Sequence, residues 1–75
     1  MSPLNSEALK AIREIFTPGT KVELVRMNDP QAPAPGTLGT VILVDDLGSI
    51  HVSWENGSTL AVVFGSDLCK VVEVK

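Results

Sequence analysis

By type, the residues best suited to chemistry are His51 and the neighbouring carboxylates Asp45 and Asp46. An imidazole beside a carboxylate can carry a proton near neutral pH, and paired carboxylates can ligate a hard cation or share a proton. Neighbours on a strand point to opposite faces, however, and aspartates that open a hairpin usually accept backbone amide bonds. Turn-setting is therefore the expected role of Asp45 and Asp46, with Asp45 or Glu55 able to reach His51 across a hairpin. A lone histidine without a spaced cysteine pair argues against zinc. Ser53, Ser66 and Cys69 are the candidate nucleophiles, but none sits in a nucleophile elbow. A glycine-rich phosphate loop is also missing from the sequence. No catalytic residue, cofactor or metal ligand is assigned, and the chain is read as non-enzymatic.

Charge says more than any single residue. The stretch Asn28 to Cys69 carries Asp29, Asp45, Asp46, Glu55 and Asp67 and no lysine or arginine, a local formal charge of −5 within a chain of −3. Phosphate contacts need cations, so direct binding of nucleic acid is disfavoured. A protein partner with a basic surface, drawn to those five carboxylates, is the leading expectation. Two alternatives share the same residues. One is a mobile-element inhibitor that presents the acidic edge as a nucleic-acid mimic, and the other is a small cation-binding or enzymatic site at His51 and Asp45/Asp46. Recognition of proline-rich peptides is not expected: the sequence has no tyrosine, and Trp54 continues the apolar alternation of Ile50 and Val52.

The elements that must position these residues follow from hydrophobic period. Leu9, Ile12 and Phe16 recur at helical spacing, with Asn5 or Ser6 as cap, Glu7 in the first turn and Arg13 near the end. Thr17-Pro18-Gly19 stops that helix. From Lys21 the period becomes two: Val22 and Leu24, Val41 and Leu43, then Ile50, Val52 and Trp54 face one side. Leu60 to Val63 and Lys70 to Val74 are read as fourth and fifth strands. The pair Asn56-Gly57 predicts a tight hairpin of type I′, both of whose central residues need positive φ. Asn28 to Leu38, with Pro30, Pro33 and Pro35, is a stiff ordered loop, and Phe64 to Leu68 a single 3₁₀ turn.

Five short strands, a long first loop, two tight hairpins and a one-turn helix before the last strand define a mainly β fold, an SH3-like five-stranded small β-barrel with an N-terminal α-helix. The amphipathic helix occupies residues 1–18 and the barrel 19–75. Its apolar stripe must cover an open end of the barrel, or else join a second copy as a homodimer. Cys69 lies in an apolar run and reads as a small buried side chain. Apolar runs such as Val41 to Val44 fall far short of the ~20 residues that span a bilayer, and no basic segment precedes an apolar stretch at the N-terminus. A cytoplasmic protein without membrane contact is expected.

Val25-Arg26-Met27-Asn28-Asp29-Pro30, Pro35-Gly36-Thr37-Leu38-Gly39-Thr40-Val41, the run Val44 to Ser58, Leu60 and Gly65-Ser66-Asp67 together resemble a bacterial and phage family, domain of unknown function 4314. The resemblance covers about Thr17 to Val72 and leaves the helix outside it. It implies a compact β domain of bacteria and their mobile elements, with no assigned activity, cofactor or catalytic residues. Gly36 to Val41 also resembles the glycine-valine turn of KOW-type barrels.

Overall fold

A computed structural model describes residues 5–72. Helix α1 (Ser6–Ile15) is followed by strands β1 (Lys21–Arg26), β2 (Leu38–Val44), β3 (Ile50–Trp54) and β4 (Leu68–Val71). The strands form one antiparallel sheet in the order β3-β2-β1-β4. The architecture is thus mainly β with one helix.

Asn5 caps α1, its Oδ1 accepting from the Ala8 amide at 2.7 Å, and Phe16 closes it by donating to the Ile12 carbonyl at 2.8 Å. Leu9, Ile12 and Phe16, the predicted stripe, pack against the core of their own chain. No residue of α1 is itself buried.

The core comprises Val22, Leu24, Val41, Val44, Ile50, Val52, Trp54, Val62 and Cys69. Alternation holds along β1 and β3, as the sequence predicts. Along β2 it breaks: the register with β3 shifts between Val41 and Leu43, so Val44 turns inward and Leu43 is left 46% exposed. An inserted residue reverses the face of everything after it, and period-two counting across Ile42 therefore selects the wrong leucine.

The predicted fourth strand is reduced to one bridge, Ile50↔Val62. Trp54 donates its amide to the Ser58 carbonyl, and Ile50 and Val62 exchange bonds, which places Leu60 opposite Val52. Leu60 is engaged elsewhere. Its carbonyl accepts from the Trp54 indole nitrogen at 2.9 Å and its amide donates to Ser58 Oγ at 3.2 Å, so side chains take the place of a ladder. The last strand starts earlier than expected, at Leu68, and the end of the predicted Lys70 to Val74 segment lies outside the described residues.

Both hairpin loops have one form. Gly48 donates to the Asp45 carbonyl and Gly57 to the Trp54 carbonyl, each at 3.0 Å, and the glycines have φ of +85° and +91°. Among the described residues no non-glycine has positive φ. The Asn56-Gly57 loop is therefore a three-residue connection with its left-handed residue last, not the two-residue type I′ turn. Asn56 instead accepts the Ser58 amide on Oδ1 at 3.0 Å.

The long loop folds back onto β1: Leu24 donates to the Thr37 carbonyl at 2.9 Å and accepts from Gly36 at 2.7 Å, and Pro33 is buried. Gly39 fills a different need. A Cβ at this position would lie 2.5 Å from Val52 Cγ1 and 2.7 Å from Trp54 Cε3, closer than packed side chains approach. Gly39→Ala is expected to cost about 3 kcal/mol through overpacking, read as a lower urea midpoint at unchanged slope.

Candidate functional site

The first cluster of sequence-predicted residues lies in the β2–β3 loop. Asp45 Oδ1 accepts the amides of Leu47 at 2.9 Å and Ser49 at 3.0 Å, and Oδ2 meets His51 Nε2 at 2.9 Å. The carboxylate fixes the loop from within, as expected of a hairpin-opening aspartate. His51 holds the Asp45 carboxyl below its ordinary value; the Ser49 and Leu47 amides add to this, and partial desolvation opposes it. Asp46 points elsewhere, to Arg13 Nη2 at 2.7 Å, with its side chain 94% exposed. The same guanidinium reaches the Val44 carbonyl through Nε and Nη2, both at 3.4 Å.

Asp45 and Asp46 therefore do not form a dyad, and of the two carboxylates able to reach His51, Asp45 and Glu55, it is Asp45 that meets it. Among the described residues no group of three or more His, Cys, Asp or Glu side chains converges as a metal site would. Cys69 is buried in β4, where desolvation pushes its thiol up to about 11, as for an unreactive core cysteine.

The second cluster joins the long loop to the turn before β4. Asp67 accepts the Asn28 amide on Oδ1 at 2.8 Å and the Val63 amide on Oδ2 at 2.9 Å, pinning both segments. Asp29 accepts the Gln31 amide at 2.7 Å. Asp29 and Asp67 line one shallow groove of about 210 Å³ with Met27, Asn28, Leu60 and Val63. Glu55 is exposed in the β3 hairpin loop.

Strand direction decides which carboxylates share a surface. Arg26 pairs with Leu68, and Gly39 with Trp54, so the loops after β1 and β3 and the turn before β4 lie at one end of the sheet. The loop after β2 lies at the other. Asp29, Glu55 and Asp67 thus belong to one end and Asp45 and Asp46 to the opposite end, and the expected single rim of five carboxylates is divided.

Sequence reasoning assigned Arg13 to the helix macrodipole alone and missed its grip on the β2–β3 loop. No local signal announces that contact, because 33 residues separate Arg13 from Asp46. It also missed an open apolar pocket of about 170 Å³ between α1 and the sheet, lined by Ile12, Phe16, Ile50, Val62, Phe64 and Cys69.

The sequence model of one family, described as Domain of unknown function (DUF4314), matches residues 5–72. The chain belongs to the DUF4314 family. The match begins at the cap of α1, so it includes the helix that the resemblance from about Thr17 onward had left outside. No curated protein and no solved structure matches the chain. Among the described residues of this DUF4314 domain, no helix is long and apolar enough to cross a membrane.

Asp45→Ala removes three accepted hydrogen bonds and is expected to cost about 1.5 kcal/mol at neutral pH. Because the native carboxyl is held below its ordinary 3.8, that stabilisation is complete above 3.8 and disappears as pH falls through the lower native value. Urea midpoints of wild type and variant should therefore differ at pH 7 and converge in strong acid.

Proposed function

We propose that this DUF4314 domain is a non-enzymatic protein-interaction module of SH3-like barrel architecture, acting in the bacterial cytoplasm on a partner with a cationic surface. One observation carries the reading: the loops at one end of the sheet contain Asp29, Glu55 and Asp67 and no lysine or arginine. Opposite charge steers such a partner and fixes its register more than it adds affinity. The internal bonds refine which residues carry this role. Asp67 spends both oxygens on backbone amides and is a scaffold residue, whereas Asp29 keeps one oxygen outside its Gln31 bond and Glu55 is exposed. Asp29, which lines the groove between the long loop and the β4 turn, and Glu55, in the loop after β3 at the same end of the sheet, are therefore the contact residues of this reading.

The barrel assignment is supported by the order of elements. A long β1–β2 loop, two tight hairpins, the Ile50↔Val62 bridge and a turn leading into β4 follow the SH3-like sequence of parts. The His51–Asp45 contact is read as fastening, since the imidazole and two amides converge on a single carboxylate.

Titration of the protein with a fluorescent lysine- and arginine-rich peptide tests the proposal, with a glutamate-rich peptide as control. The basic peptide should bind with an on-rate that falls as salt rises, and the Asp29→Asn/Glu55→Gln double variant should weaken it about fivefold. Binding that ignores both salt and the double variant contradicts the proposal.

A further inference from the structure

Helix α1 and the strands are attached to the molecule in different ways. Ile50, Val62 and Cys69 are 7%, 3% and 5% exposed and belong to the β framework, whereas no residue of α1 is buried. Leu9, Ile12 and Phe16 lean on the core from outside, and Ile12 and Phe16 form one wall of the open pocket on which Ile50, Val62 and Cys69 also border.

Among the described residues, the polar fastening of the helix body to the rest of the fold runs through one side chain. Arg13 holds the Val44 carbonyl by two bonds of 3.4 Å and Asp46 by one of 2.7 Å, the latter pair exposed to solvent. Long and solvent-exposed bonds of this kind are weak. The connection to β1 is a short Thr17-Pro18-Gly19 link, itself anchored to the sheet by the Gly19 amide on the Val41 carbonyl at 2.8 Å. A helix without buried residues, joined by a short anchored link, can leave the surface while the sheet stays folded.

We infer that α1 is a hinged lid, fastened by Arg13 over the apolar pocket and opening about Thr17-Pro18-Gly19 without unfolding of the sheet. Opening exposes Ile50, Val62 and Cys69 to solvent. This inference does not rest on the proposed contact residues Asp29 and Glu55, which lie at the other end of the sheet from the Arg13 contacts and do not line this pocket; Asp67, the scaffold residue, borders it.

The sequence has one cysteine, and it borders the pocket, so the chain carries its own reporter. Labelling of Cys69 with a maleimide is measured across low, non-denaturing urea concentrations on the intact protein. The lid predicts a rate faster than global unfolding, with a much smaller urea dependence than the equilibrium unfolding slope. Arg13→Ala should raise that rate about fivefold, while Asp46→Asn, which leaves the Val44 bonds in place, should raise it less. Amide exchange provides a measurement that needs no variant: α1 amides should exchange well before those of β1 and β2. Labelling with the rate and urea dependence of global unfolding overturns the inference. So do α1 amides that exchange together with the sheet, or an Arg13→Ala rate equal to wild type.

Discussion

The close approach of Gly39 to the Val52 and Trp54 side chains is the constraint on which the rest of the fold depends. With no Cβ at residue 39, the indole lies directly over β2, and from there its Nε1 reaches the Leu60 carbonyl. Buried indoles generally find a hydrogen-bond partner, and here that partner lies on the returning arm of the hairpin. One ring therefore links β2, β3 and the segment that carries Val62 into the core. Among the described residues the core numbers nine side chains, and in so small a core each contact that joins elements counts.

Loops of this size need fastening, and the molecule uses carboxylates for it. Asp45 holds the β2–β3 loop, Asp67 ties Asn28 to Val63, and Asp29 turns the start of the long loop. Each satisfies amides that no strand could pair. Acidic composition in the segment 28–69 thus has a structural cause before any partner is considered, and the charge that remains for recognition is smaller than the formal −5. Asp29 and Glu55 carry that remainder at one end of the sheet; at the other, Asp46 is engaged by Arg13.

The sequence was legible where local physics decides the outcome. A polar helix cap at Asn5 or Ser6, of which Asn5 serves, the stripe of Leu9, Ile12 and Phe16, the inward set of β1 and β3, and the turn role of Asp45 follow from period and residue chemistry. It was illegible where a distant group intervened. The bulge between Val41 and Leu43 inverts a face that alternation alone cannot invert. Leu60 to Val63 has strand composition, yet the indole nitrogen and Ser58 Oγ occupy the backbone of Leu60. Asn56-Gly57 announces a turn correctly and its type wrongly, because Asn56 stays at negative φ and binds the Ser58 amide. The split of the carboxylates between two ends emerges only from strand pairing, and the Arg13–Asp46 contact only from the docking of α1.

Since Trp54 is the chain's one tryptophan, its indole proton gives a single resolvable signal. The most direct measurement of the account is hydrogen exchange at that Nε1 position, followed by NMR alongside the backbone amides of β2. If the indole joins the elements as described, its proton exchanges only through global unfolding, at the opening free energy of the slowest β2 amides. Exchange at the rate of a free indole, or through an opening shared with α1, would contradict the claim that this ring holds the fold together.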